Sequence, residues 1–100
     1  MILELAILYI KDELENQFEK DFERAGKYIS SIQGYAGHTL QKCMERKNKY
    51  ILLVNWETVE AHTVAFRESS QYPEWKKLLH HYYDPFPVVE HYETVIDKRT

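Results

Sequence analysis

The run ILELAILYI, residues 2–10, decides the fold. Leu3, Leu5, Ile7 and Tyr9 form one alternating face. Ile2, Ala6, Leu8 and Ile10 form the other, interrupted by Glu4. A strand that is apolar on both faces is covered on both sides. The run meets Lys11 and Asp12 after ten residues, so it is too short to span a bilayer. It has neither a positive n-region nor a small-residue cleavage site, so it does not read as a signal peptide. A second stretch, YILLVNWE over residues 50–57, repeats the pattern. It is branched and aromatic, and apolar on both faces until Asn55.

Between these strands the period changes. Leu14, Phe18, Phe22, Ala25 and Ile29 recur at spacings of four, four, three and four, one stripe of an amphipathic helix. Asp12 is placed as its N-cap, with Glu15 completing a capping box, and the helix stops near Ser30 and Ser31. Gly34 and Gly37 open a strand running to about Met44. The polar residues 45–49 form a hairpin loop. After residue 57, Thr58 caps a helix in which Val59, His62 and Phe66 share a face, with Glu60 in its first turn. Ser69 and Ser70 interrupt it. Pro73 stands in the first turn of a further helix, whose apolar face is Tyr72, Trp75, Leu78, Leu79 and Tyr82. Residues 84–87, Asp-Pro-Phe-Pro, break it, and VVEHYETVI over 88–96 is the last strand.

The order is β-α-β-β-α-β, with the second helix split. It predicts an α+β, ferredoxin-like sandwich: a four-stranded antiparallel sheet with its helices on one face. One domain accounts for residues 1–100. The far face of the sheet carries too many apolar side chains to stay wet. A second copy is the expected cover, giving a homodimer in which two sheets pack face to face, a dimeric α+β barrel.

Composition narrows the function. The chain is 44% hydrophobic and 29% charged, a globular balance. Thirteen basic against sixteen acidic residues leave a net charge of −3, which argues against a nucleic-acid partner. The single cysteine, Cys43, cannot form an internal disulfide and excludes multi-cysteine metal scaffolds. Cytoplasmic location without membrane attachment is the expectation. Aromatic residues reach 14%, with eight Tyr and two Trp, and such rings suit flat ligands, interfaces or a dense small core.

The run VNWETVEAH (54–62), then FRESS (66–70), Tyr72, Trp75 and the close FPVVEHY (86–92) resemble the antibiotic biosynthesis monooxygenase (ABM) family, a branch of the dimeric α+β barrel superfamily. The opening strand and the Gly34–Tyr35 turn are similar as well, so the likeness covers essentially the whole chain. It implies a small dimeric enzyme of one of two kinds, or a non-catalytic dimer that binds a small molecule. One branch degrades haem, using an Asn in the first strand, a Trp in the second helix and a ligating His beyond. A gapless alignment puts Ile7, Ala65 and Trp75 at those places. Isoleucine cannot hydrogen-bond a ligand, and tryptophan has no lone pair for iron. The other branch oxidises electron-rich polycyclic phenols with molecular oxygen and no metal or flavin. For this chain the second kind implies a cofactor-independent monooxygenase acting on a phenolic or quinonoid aromatic compound.

Such chemistry needs a cavity for a flat ring, a base or donors to remove a phenolic or activated C–H proton, and exclusion of water. Trp56, Phe66, Tyr72 and Trp75 are candidate walls. Asn55, Arg67, His62 and His91 are candidate polar groups. His62 shares the inward face with Val59 and Phe66, and its ordinary pKa suits proton transfer near neutrality, so it is the expected catalytic residue. A core histidine bonded to a backbone carbonyl is its structural alternative. His91 stands mid-strand and needs a named partner. Arg67 would hold a carboxylate or phenolate oxygen, or complement a helix C-terminus. His80 and His81 are adjacent and diverge around a helix, so they read as surface or helix-end residues. With no His/carboxylate pair at ligand spacing and no Gly-rich phosphate loop, no metal and no organic cofactor are expected. The predicted site lies between the sheet and the split second helix, where Ser69 and Ser70 loosen the packing.

Overall fold

The alternating strands and the helical stripe assemble as the sequence predicts. A computed structural model describes residues 1–99. It contains β1 (Ile2–Tyr9), α1 (Glu15–Ser30), β2 (Tyr35–Lys42), β3 (Lys49–Trp56), a π-helical segment (Ala61–Phe66), α2 (Gln71–Leu79), a 3₁₀ turn (His80–Tyr82) and β4 (Val89–Glu93). The strands form one antiparallel sheet in the order β2-β3-β1-β4. With the helices packed on one face, this is the ferredoxin-like α+β sandwich.

The core lies between sheet and helices. Phe18, Phe22, Ala25 and Ile29 of α1 are buried against Ala6, Leu8, Leu52 and Val54 of the sheet. Each of these side chains contributes about 1.5–3 kcal/mol on burial, alanine less. The opposite face is left open. There Leu5 stands across from Leu53 and Ile7 from Ile51, all at least partly exposed in the single chain.

Local departures have local causes. Asp12 does not cap α1. Leu14 N–H bonds Lys11 O at 3.1 Å, and Glu13 adopts φ +69°. This tight turn takes residues 11–13 out of the helix and leaves Leu14 at the N-cap without a side-chain cap. β2 ends at Lys42, short of Met44, and β4 ends at Glu93, short of Ile96. The last β1–β4 pair is Ile2 with Glu93, so residues 94–96 have no strand left to join. Thr58 caps as expected, its Oγ1 accepting from Ala61 N–H at 3.1 Å.

Gly34 fixes how the π-helical segment meets the sheet. Its φ is +94°, and a Cβ there would stand 2.6 Å from Ala61 Cβ. Gly34→Ala therefore combines a left-handed backbone penalty with a steric overlap. The expected loss is about 3 kcal/mol of unfolding free energy in a urea titration, on the scale of strained overpacked sites. A loss under about 0.5 kcal/mol would show that the segment shifts freely.

Candidate active site

Alternation along β1 places Glu4, Ala6 and Leu8 on the helix-covered face. The register sets Glu4 between Val54 of β3 and His91 of β4, so Glu4 and His91 face the same side across one ladder. Trp56 closes β3 on that face. His62 descends from above on the π-helical segment, whose wide turn is marked by Arg67 N–H bonding His62 O at 3.3 Å. Single π turns of this kind recur at functional sites.

These residues make one polar cluster under the helices. Trp56 Nε1–H donates to Glu4 Oε1 at 2.9 Å. His62 Nε2 stands 3.5 Å from the same oxygen. On its other side, His62 Nδ1 is hydrogen-bonded to His91 Nε2 at 2.8 Å. The His62 ring also stacks on Trp56, centroids 5.5 Å apart and planes at 19°. Glu4 and His62 are 5% and 4% exposed. Imidazole has a nitrogen at each end, so His62 bridges a buried acid to a half-buried histidine on the sheet edge.

Both buried groups are pushed toward their uncharged forms. Burial raises the Glu4 carboxyl above its ordinary range, opposed by the Trp56 hydrogen bond and the Arg67 charge. Burial, then the charges of Arg67 and His91, lowers His62 to about 4. The imidazole is therefore neutral at neutral pH, and the carboxyl holds its proton more tightly than a surface glutamate does.

The cluster opens into a cavity of about 200 Å³. Ala6, Leu8 and Leu52 of the sheet and Ile29 of α1 form its apolar part. Phe66, Tyr72 and Trp75 supply aromatic walls, and Glu4, His62 and Arg67 supply polar groups. Phe66 meets Tyr72 and Trp75 edge-on, at 79° and 81°. Tyr83 and His80 also line it. Burial raises the Tyr83 phenol and lowers the His80 imidazole.

Of the residues singled out from sequence, His62, Phe66, Arg67, Tyr72 and Trp75 line this one cavity. Trp56 lies fully buried behind Glu4 and His62, and His91 reaches the cluster through His62. Asn55 is not among them: it is exposed on the open face, opposite Leu3, because consecutive strand residues point to opposite sides. His80 stands at the end of α2, as one of the two expected placements had it, and it lines the cavity as well, which the sequence did not reveal. Ile7 is on the open face and Ala65 is exposed, so of the three positions aligned with the haem pattern only Trp75 faces the cavity. Among the described residues no group of three or more His, Cys, Asp or Glu could hold a metal ion, and no helix is long and apolar enough to cross a membrane. Glu4 is the site residue that sequence reasoning passed over. Its signal was present, as the single charge on an otherwise aliphatic strand face.

The histidine gives a pH signature. His62 has an ordinary value of 6.5 and a folded value of about 4, so between them the unfolded chain binds more protons. Stability from this group is complete above 6.5 and is lost as pH falls toward 4. The interval is worth at most about 3 kcal/mol, and solvent in the cavity screens part of it, leaving about 2. Glu4 acts in the opposite sense, its contribution fading as pH rises, so the comparison must isolate His62. The difference in unfolding free energy between wild type and His62→Gln should grow by about 2 kcal/mol from pH 4 to pH 6.5. A flat difference would mean that His62 is protonated in the folded state.

Known proteins share both the sequence and the fold. The chain is 55% identical over 95 residues to YczJ of Bacillus subtilis (strain 168), an uncharacterized protein, across 95% of this chain and all of YczJ. It superposes with a TM-score of 0.90 on a Bordetella bronchiseptica protein that bears the antibiotic biosynthesis monooxygenase name. The two are 33% identical, with 95% of this chain and 97% of that one covered. SnoaB, a cofactor-independent oxygenase from Streptomyces nogalater, shares the fold at a TM-score of 0.76 and 17% identity, over 97% of this chain and 94% of its own. The sequence profile of the antibiotic biosynthesis monooxygenase family matches residues 1–78, and the chain belongs to that family.

Proposed function

We propose that the chain is a cofactor-independent monooxygenase of a phenolic or quinonoid aromatic compound, working as a homodimer in the cytoplasm. One observation carries this reading: a buried acid, Glu4, joined through His62 to His91 and opening on an aromatic-walled cavity. A phenol gives an electron to oxygen far more readily once deprotonated, so the protein's task is to take that proton in a dry site. Glu4, with its raised affinity for protons, is the acceptor. His62 takes the proton on Nε2 and releases another from Nδ1 to His91, which stands at the sheet edge. Phe66, Tyr72 and Trp75 hold the ring. In net terms a phenol with hydrogen on its para carbon becomes a quinone. The C–H, O–H and O–O bonds break, one oxygen atom forms the new C=O, the other leaves as water, and the substrate supplies all the electrons.

The test is oxygen uptake by chelator-treated protein over a panel of phenols and hydroquinones. Uptake above the uncatalysed rate, one oxygen per product and unchanged by added metal or flavin, is the expected result. No uptake over the panel, or uptake only after adding iron or flavin, would overturn the reading. Haemin should leave its Soret band unshifted in the same protein, because a tetrapyrrole exceeds a 200 Å³ cavity.

A further inference from the structure

We infer that the substrate is a one- or two-ring aromatic acid whose carboxylate is held by Arg67, with its hydroxyl directed at Glu4. This rests on the aromatic-substrate reading above and narrows it. The first observation is an uncompensated cation. Arg67 lines the cavity, yet among the described residues its guanidinium forms no ion pair within 4.0 Å. Its charge is felt by both Glu4 and His62, so it stands near the proton-accepting cluster without joining it. A guanidinium presents a planar fork that matches a carboxylate. A guanidinium without an ion pair, beside a neutral imidazole and a carboxyl that burial pushes toward its uncharged form, calls for an anion from the ligand.

The second observation is size. The cavity is about 200 Å³, below the roughly 300–1,000 Å³ of sites for drug-sized ligands. One ring or two fused rings match this volume between the Phe66, Tyr72 and Trp75 walls, and further fused rings would have to extend out of its open side. The third is polarity. Apart from Arg67, the groups that could meet an anion are Tyr83 and His80, whose phenol and imidazole are both held uncharged by burial. Arg67 and Glu4 line the same cavity, so a ligand held by its carboxylate on Arg67 can turn a ring hydroxyl toward Glu4, which favours hydroxy acids over plain phenols.

The experiment is anaerobic calorimetry with 1-hydroxy-2-naphthoate and 1-naphthol, run on wild type and on Arg67→Gln. Arg67 is exposed, so the variant keeps the core; an unchanged thermal midpoint checks this. Wild type should bind the acid at least about tenfold more tightly than the naphthol. Arg67→Gln should erase that preference while leaving naphthol affinity within about twofold. Equal binding of both compounds, or an equal loss of both in the variant, overturns the inference while leaving the aromatic site intact. A hydroxyanthracene carboxylate binding as tightly as the naphthoate overturns the size limit. If neither naphthalene binds, the aromatic-substrate reading fails as well. Binding with the expected preference but no oxygen uptake upholds this inference and counts only against the oxygenase.

Discussion

His62→Ala should lower turnover of a phenolic substrate about 10²–10⁴-fold, the usual worth of a general acid–base group. The relay from Glu4 Oε1 through His62 to His91 loses its middle member, and the proton taken from the substrate stays on a buried carboxyl. Glu4→Gln should cost a similar factor. The glutamine carbonyl still accepts from Trp56 Nε1–H, so the packing survives while the proton acceptor is gone. The double variant should be little worse than either single one, since members of one relay are strongly non-additive. His62 also stacks on Trp56, so its removal leaves a void, and a structural loss could imitate a catalytic one. Added imidazole separates the two. It should recover part of the turnover of His62→Ala, which a merely destabilised protein would not show. A folded His62→Ala protein with wild-type turnover would end the assignment.

Much of this was legible in the sequence because it is periodic. The α1 stripe, the order of strands and helices, and the inward face shared by His62 and Phe66 all follow from spacings of two or three to four. What depended on register was not legible. Glu4 and His91 become neighbours only when β1 and β4 pair with Ile2 opposite Glu93, and nothing local in either strand fixes that offset. The same pairing explains why Val95 and Ile96, though apolar, lie outside the sheet. Asn55 is a different case. Trp56 faces the helices, so its neighbour in a strand cannot, and alternation alone excluded Asn55 from the cavity. His80 closes α2 as its C-cap, its N–H bonded to Lys76 O, and its place on the cavity wall depends on the packing of α2 over the sheet, which no local spacing reveals.

Leu53→Arg should convert the proposed homodimer to a monomer of 12.1 kDa. The open face carries Leu3, Leu5 and Ile7 of β1 beside Ile51 and Leu53 of β3, with Tyr92 of β4 opposite Leu3. Among the described residues only the loop at 85–88 borders this patch, beside Leu5, Ile7 and Tyr9, and a second copy packed sheet to sheet would cover the rest. Across a two-fold interface the substitution occurs twice. Each unpaired buried charge costs about 3–5 kcal/mol, so the dimer dissociation constant should rise at least roughly 10⁴-fold. Leu53 side chains lie away from the helix-covered core, so the variant should keep its circular dichroism while sedimenting at half the wild-type mass. Thr39, opposite Leu53 on β2, is exposed at the rim, and Thr39→Arg should leave the dimer intact, since rim charges matter little. Wild type sedimenting as a 12.1 kDa species at micromolar concentration would remove the dimer. A Leu53→Arg protein that stays at twice that mass would move the interface off this face. In that case the exposed aliphatic patch would need another cover, and the both-face apolarity of residues 2–10 would have to be explained by it.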